Sequence, residues 1–243
     1  MKFETPIVVP RNKVSDCYFY HTMDLPGLGV VTGDWDLRPC LRDYFGQQDL
    51  SGKRVLDVGT ATGALSFYAE RQGAKVVSFD QSEAAPMNLL PVWSQSLDGI
   101  RAMKKSYWLS HGLLKSANQV FYGNIYDLPD DLGKFDLAIM GSILLHLESP
   151  VAALRSVAKL ASSIVVTEVL LDKCANSEAV FRPHYRPEAP GDDYLCWWYL
   201  SPAAIRKMLE TFGYKVISQV PLSASSHLHG TIKLIAHVGV KAV

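Results

Sequence analysis

The chain has 243 residues, with 24 basic side chains against 24 acidic ones and a hydrophobic share of 48%, enough for one α/β domain with a full core and no global field to recruit nucleic acid or an anionic membrane. The longest apolar stretches, around 138–147 and 164–171, are too short to cross a bilayer, and the first residues lack the apolar core of a secretory signal. The four cysteines, Cys17, Cys40, Cys174 and Cys196, form no C-x-x-C pair of the kind that binds zinc, so a cytoplasmic protein without a metal is expected.

Residues 1–50 are irregular and rich in aromatics, glycine and proline, and end in a short helix predicted over Pro39–Phe45. Arg54–Val58 has the make-up of a buried strand, Ala64–Gln72 that of a helix closed by Gly73, and Lys75–Asp80 that of a second strand. Residues 82–99 carry two prolines and little periodicity, an excursion before a long helix over Ile100–Lys115. Val120–Gly123, Phe135–Met140 and Ile164–Glu168 are further strands, with a helix over Val151–Leu160 between the last two. A second irregular stretch, Leu171–Leu200, precedes a helix marked by Ser201 as N-cap, Pro202 at its first position and Gly213 past its end. Lys215–Val220 and Thr231–Val238 follow with no helix between them, which predicts an antiparallel edge hairpin. Alternation of strands and helices predicts a parallel sheet with right-handed crossovers, in a single domain over 1–243.

The strongest chemical signal is Val55-Leu56-Asp57-Val58-Gly59-Thr60-Ala61-Thr62-Gly63 running into a helical pattern. Glycines at a strand-to-helix turn let the backbone approach a ligand, and the N–H groups that open the helix face it. Asp57 sits inside an apolar strand, where a carboxylate is costly without partners. The next strand ends in Phe79-Asp80, and an acid at that tip is placed to accept hydrogen bonds from a ribose diol. A nicotinamide-dinucleotide fingerprint shares the second acid but usually has none directly before its first glycine.

The segment resembles motif I of the class I S-adenosylmethionine-dependent methyltransferases, and residues 54–168 are similar to that family throughout. The resemblance implies a Rossmann-like α/β fold: a seven-stranded, mostly parallel sheet with helices on both faces and an antiparallel last strand. It implies S-adenosylmethionine as cofactor. Asp57, Gly59, Thr60, Ala61 and Gly63 match the loop that holds the methionine part, with Ala61 where a glycine is common. Asp80, with Gln81 beside it, matches the acid that grips the ribose. Asn124 and Ile125 match the pair that reads and sandwiches adenine, with asparagine in place of the usual aspartate. Met140, Gly141 and Ser142 match the wall at the methionine end. A narrower likeness, in Gly33–Arg38, Leu144–Pro150 and Trp197–Gly213, is similar to the bacterial tRNA wobble-uridine carboxymethyltransferases. The basic residues with which that family holds a carboxylated cofactor are not reproduced, so neither tRNA nor that cofactor is carried over.

On the acceptor side, His146 follows the fourth strand of the pattern and is the candidate general base, since imidazole titrates in the useful range; the alternative is a histidine bonded to a loop carbonyl. Two aromatic segments are expected to form lids, 15–38 (with Tyr18, Phe19, Tyr20 and Trp35) and 172–200 (with Phe181, Tyr185, Tyr194, Trp197, Trp198 and Tyr199). Arg182 and Arg186, with His184 between them, and Arg38 are candidate clamps for an acceptor carboxylate or phosphate. The long helix carries Arg101, Lys104, Lys105, His111 and Lys115 around Trp108; a charged solvent face is the preferred account, and a nucleic-acid track the other. The reaction expected is methyl transfer to an O, N or S atom of a small molecule. A tRNA-modifying enzyme and a non-catalytic cofactor-binding module are the alternatives.

Overall fold

The computed structural model describes residues 2–83, 97–170, 178–183 and 196–242. In it the apolar runs become a central sheet: β1 (Arg54–Val58), β2 (Lys75–Gln81), β3 (Gln119–Gly123), β4 (Phe135–Gly141), β5 (Ala161–Val169), β6 (Tyr214–Ser226) and β7 (Gly230–Lys241). Its helices are α1 (Ala64–Arg71), α2 (Leu97–Leu114), α3 (Pro150–Ala158) and α4 (Pro202–Thr211). The strands lie in the order β6-β7-β5-β4-β1-β2-β3. β1 to β5 pair in parallel, and β7 runs antiparallel to both β5 and β6. The expected hairpin is therefore present, with its second strand wedged inward against β5 rather than left at the margin.

An eighth strand of two residues, Trp35–Asp36, adds to the far end of β6. The sequence pattern implied seven. β6 is 13 residues long and overhangs the other strands, and the N-terminal segment pairs with that overhang. Pro221 within β6 explains why sequence periodicity seemed to stop at Val220. β6 is otherwise an outer strand, so a residue without an N–H breaks no interior ladder.

Because the sheet is covered on both faces, β1 and β4 are buried almost without a break. Alternate residues feed opposite cores. Leu56, Val58 and Ala138 pack with Leu154 and Val157 of α3 and with Ile205 and Leu209 of α4. Val55, Leu137 and Ile139 pack with Leu65 of α1 and with Tyr44 of the one-turn helix Leu41–Tyr44. That helix continues a 3-10 turn at Arg38–Cys40, together covering the helix predicted over Pro39–Phe45. Both irregular segments contain antiparallel ribbons, Met23–Leu25 with Gly29–Val31 and Phe181–Pro183 with Trp198–Leu200. Strands of three residues are too short to show a period-2 pattern. Trp108 and His111 of α2 are buried, so the basic helix turns its aromatic inward rather than toward a nucleic acid.

Ser201 does more than cap α4. Its Oγ accepts the N–H of Ala204 at 3.2 Å and of Val180 at 2.9 Å, and donates to the Glu178 carbonyl at 2.6 Å. A cap alone contributes about 1 kcal/mol. Ser201→Ala is expected to lower the unfolding free energy by roughly 2 kcal/mol, because two buried or half-buried partners also lose their bonds. A fall in the urea midpoint at constant m-value reads this out; a change no larger than that of an ordinary cap would show that the 178–180 contacts contribute nothing.

Candidate functional site

The carboxyl ends of β1 to β5 converge on one edge. There β1 delivers Asp57 and the chain turns through Gly59–Gly63 into α1. Gly59 and Thr60 both donate to the Phe79 carbonyl at 2.9 Å, tying the turn to β2. Gly59 (φ +80°) has the left-handed backbone that side chains rarely adopt, and a Cβ there would lie 2.9 Å from Cδ1 of Ile143 in the turn after β4, which would have to shift. Gly63 (φ +89°) begins α1, and a Cβ there would meet the Phe67 and Tyr107 rings at 2.3 and 2.8 Å. Ala61, where the family pattern commonly has glycine, also takes the left-handed conformation, at φ +48°. It is not merely a small substitute; it holds backbone strain of about 1 kcal/mol or more.

Asp57 is buried to 1% exposure. Its Oδ2 accepts the Ser66 hydroxyl at 2.6 Å, while Oδ1 is buried without a hydrogen-bond partner. Burial, the largest effect, raises its pKa to about 6 against the pull of the hydroxyl donors. Asp80 is half-buried at the tip of β2, with Oδ2 accepting the N–H of Ala61 and Oδ1 that of Gln81, each at 2.7 Å. Burial raises its pKa as well. The loop and the acid are thus one unit: the strained residue 61 donates the bond that aims the carboxylate.

Asn124 and Ile125 follow β3 at the same edge. The Asn124 amide oxygen accepts the Tyr126 N–H at 3.0 Å and so caps the turn Ile125–Asp127, leaving one lone pair for a ligand. Ile125 is buried. At the end of β4, Gly141 and Ser142 are partly open, and Ser142 (φ +48°) shares a 2.8 Å hydrogen bond with the Tyr44 hydroxyl. Met140 departs from the expected wall: it is fully buried in the core with Leu56 and Val58, so only the residues after it reach the edge.

The N-terminal segment is docked on the glycine turn. His21 is buried, and its Nδ1 and backbone N–H lie 3.0 and 3.2 Å from the Thr62 hydroxyl; burial lowers its pKa to about 4. Tyr20 and Trp35 share a hydrogen bond in which the indole N–H donates, and the Cys196 thiol lies close to Tyr20. Trp35 also stacks on His229 at 5.7 Å. Arg38 does not offer a free clamp, because its guanidinium is held by Asp24 at 3.0 Å and Asp36 at 2.7 Å.

His146 ends the turn Leu144–His146, with Nδ1 3.7 Å from the Cys196 sulfur. The segment around Cys196 is pinned to this turn, since Trp197 donates its N–H to the Leu145 carbonyl at 2.7 Å and the Trp198 indole to that of Glu148 at 3.1 Å. Trp198 in turn packs on Phe181 at 4.5 Å. Tyr199 carries the Arg182 guanidinium over its ring at 5.0 Å, an exposed arrangement. Arg186, like His184, lies outside the described residues. Tyr20, His146 and Trp197 are thus brought to one place, and Arg38 and Arg182 stand apart from it.

Sequence inspection missed Glu168. It sits near the end of β5, 2% exposed, and its Oε1 accepts the Leu144 N–H at 2.8 Å. Backbone bonds from Leu144, Leu145 and Val169 favour its ionised form, but burial outweighs them and raises its pKa to about 8. The carboxyl group therefore holds the turn that carries Ile143 and His146. The available signal was an acid closing an otherwise apolar strand, the same signal that marks Asp57.

Residues 39–219 match the family pattern described as methyltransferase domain. The chain belongs to the methyltransferase-domain family. It is 32% identical over 130 residues to ubiquinone biosynthesis O-methyltransferase of Neisseria meningitidis serogroup A, a match covering 51% of this chain and 47% of that protein. The chain thus spans less than half the length of the curated relatives it matches. Among solved structures it resembles the N-terminal domain of EvdMO1 with S-adenosylhomocysteine bound, at TM-score 0.59 and 17% identity, covering 96% of this chain and 95% of that one. It also resembles magnesium protoporphyrin IX methyltransferase from Synechocystis PCC 6803, at TM-score 0.53 and 19% identity, covering 85% and 82%. These likenesses establish the class I methyltransferase fold, and S-adenosylmethionine is the cofactor of this family.

Two consequences can be measured on this protein. Ala61→Gly relieves a left-handed alanine, offset by greater freedom of the unfolded chain, and is expected to raise stability by about 0.5 kcal/mol; a loss would refute the left-handed geometry. For Glu168, the folded pKa of about 8 lies above the ordinary glutamate value of 4.5. The unfolded chain then binds fewer protons across that interval, so this group's contribution is intact below it and is lost as pH rises through about 8. Glu168→Gln keeps the acceptor and cannot ionise. At pH 9 it is expected to exceed the natural protein in stability by roughly 4 kcal/mol, with the advantage gone below the ordinary glutamate value of 4.5. Parallel stability curves against pH would show that another group titrates.

Proposed function

We propose that this methyltransferase moves the methyl group of S-adenosylmethionine to an O, N or S atom of a small molecule held beneath residues 15–38 and the described parts of 172–200, which are 178–183 and 196–200. The observation that carries the placement is the buried, unpartnered Oδ1 of Asp57. It lies beneath a turn whose Gly59 and Gly63 take positive φ, one strand from an acid whose two oxygens are fixed by backbone N–H groups. That set suits a cofactor with a cationic amino-acid end and a ribose. Asp57 and Gly59–Gly63 would hold the methionine part, and Asp80 with Gln81 the ribose hydroxyls. Ile125 would pack on adenine, the free lone pair of Asn124 would accept its amino group, and Gly141 and Ser142 would border the methionine end.

The cofactor supplies an activated methyl sulfonium, so the chain's own work is orientation and exclusion of water. Tyr20, Trp35, Trp197, Trp198 and Tyr199 supply aromatic surface around the acceptor side, which favours a flat apolar acceptor. One relative is named for ubiquinone biosynthesis, and one structural neighbour for magnesium protoporphyrin IX, which supports a small-molecule acceptor. The burial of Trp108 and His111 in α2 weighs against a nucleic-acid track. His146 is the proposed base. For Nε2 to take a proton, Nδ1 must carry the ring hydrogen, an arrangement that donation to the Cys196 sulfur would fix.

The test is release of S-adenosylhomocysteine from S-adenosylmethionine with the low-mass fraction of a metabolite extract. Turnover insensitive to ribonuclease is expected. Turnover only with tRNA, or tight cofactor binding with no turnover on any fraction, would replace the small-molecule assignment. With an acceptor in hand, His146→Ala is expected to reduce kcat by about 10²–10⁴-fold with the cofactor KM little changed; an unaltered kcat removes the base.

A further inference from the structure

Four hydroxyl groups lie buried beneath the glycine turn, from four elements: Thr60 after β1, Ser66 on α1, Ser78 on β2 and Tyr107 on α2. Ser66 Oγ is 2.6 Å from Asp57 Oδ2, 2.6 Å from Ser78 Oγ and 3.0 Å from Thr60 Oγ1. The Tyr107 hydroxyl is 2.8 Å from Ser78 Oγ. Each hydroxyl has a single hydrogen, and this fixes the direction of the bonds that run from Tyr107 to Asp57. Ser66 spends its hydrogen on the carboxylate, so Ser78 must donate to Ser66. Ser78 has then spent its own, and Tyr107 donates to Ser78. The Thr60 hydroxyl lies within reach of both Ser66 and Asp57 and stands beside this run rather than in it.

The chain is therefore consistent in one orientation, with Oδ2 bare. A proton on Oδ2 would have to donate to Ser66, whose own hydrogen would lose its carboxylate acceptor and have to turn toward Ser78, against the donors that run from Tyr107, or toward Thr60. Any proton on Asp57 is steered to Oδ1, the atom that has no partner. We infer that Tyr107, Ser78 and Ser66 are positioning residues that act through Asp57, a polarised hydroxyl relay that keeps its Oδ1 bare for the cationic end of the cofactor. This rests on the placement of the cofactor at residues 57–63 proposed above. Donors in series strengthen one another, so the far hydroxyl of Tyr107 matters although it touches neither carboxylate nor ligand. The charged and titratable groups around the relay are Asp80, which faces Asp57 from β2, Tyr122 of β3 and Glu70 of α1, which face Tyr107, and His111 of α2, whose ring lies 6.0 Å from that of Tyr107. Lys104 of α2 faces Asp80.

The experiment is calorimetric binding of S-adenosylhomocysteine between pH 5 and 8 to the natural protein, Tyr107→Phe, Ser78→Ala and Asp57→Asn. Tyr107→Phe keeps the ring that packs on Gly63 and Phe67 and removes only the first donor. Binding to the natural protein is expected to weaken on acidification, with a midpoint near the Asp57 value of about 6. In Tyr107→Phe that midpoint is expected to move up by about half a pH unit, with affinity at pH 8 reduced about twofold, and in Ser78→Ala further in the same direction. A loss of packing alone would lower the melting temperature and leave the pH midpoint in place. If the pH profiles of both hydroxyl variants superimpose on the natural one while Asp57→Asn binds at least tenfold more weakly, the relay is overturned and the cofactor placement stands. If Asp57→Asn binds as the natural protein does at every pH, the placement fails and the relay with it.

Discussion

Putting a carboxylate inside an apolar strand is the constraint around which this protein is organised. Asp57 cannot be solvated where it lies, and an isolated buried charge is far too costly to persist. The sequence answers with serine at 66 and 78 and threonine at 60, small side chains that fit between sheet and helix and carry a hydroxyl each. This dictates how closely α1 must approach β1, hence the tight turn through Gly59 and Gly63, hence the strained Ala61 between them. Ala61 in turn donates to Asp80. Removal of one negative charge from the strand would leave the turn with no reason for its geometry.

The acceptor side is built on a parallel plan with a different donor set. Glu168 is as deeply buried as Asp57, yet it is met by the backbone N–H groups that open a 3-10 turn rather than by hydroxyls. The same turn presses Ile143 against Gly59 and ends at His146 beside Cys196. Each of the two faces of the edge is thus fixed by an acid at the end of a core strand, and the two are mechanically joined where Ile143 touches the glycine turn.

Much of this was legible in the residues. β1 was bounded correctly because its apolar run is short and closed by glycine, and α4 because Ser201, Pro202 and Gly213 mark both ends. α2 begins three residues before its periodicity does, since Gly99 obscures the pattern at its first turn. The ribbons in the two irregular segments were not legible, as three-residue strands paired to distant partners leave no local period. Within the site, the glycine turn and Asp80 could be read from type and spacing. The capture of Arg38 by Asp24 and Asp36 could not, because the hairpin that brings Asp24 to it has no signature. At Met140 the pattern located the strand end, and the burial of its side chain in the core with Leu56 and Val58 depends on the alternation of faces.

The wedging of β7 between β5 and β6 has a consequence for the order of assembly. β5 takes β7 as its outer neighbour, and the Trp35–Asp36 strand joins the sheet through the end of β6, with Trp35 also bridged to His21. The N-terminal segment therefore has two docking surfaces far apart in sequence, the glycine turn with α2 and the end of β6. Its attachment to the sheet is the later of the two steps during synthesis, because β6 follows α2 by about a hundred residues.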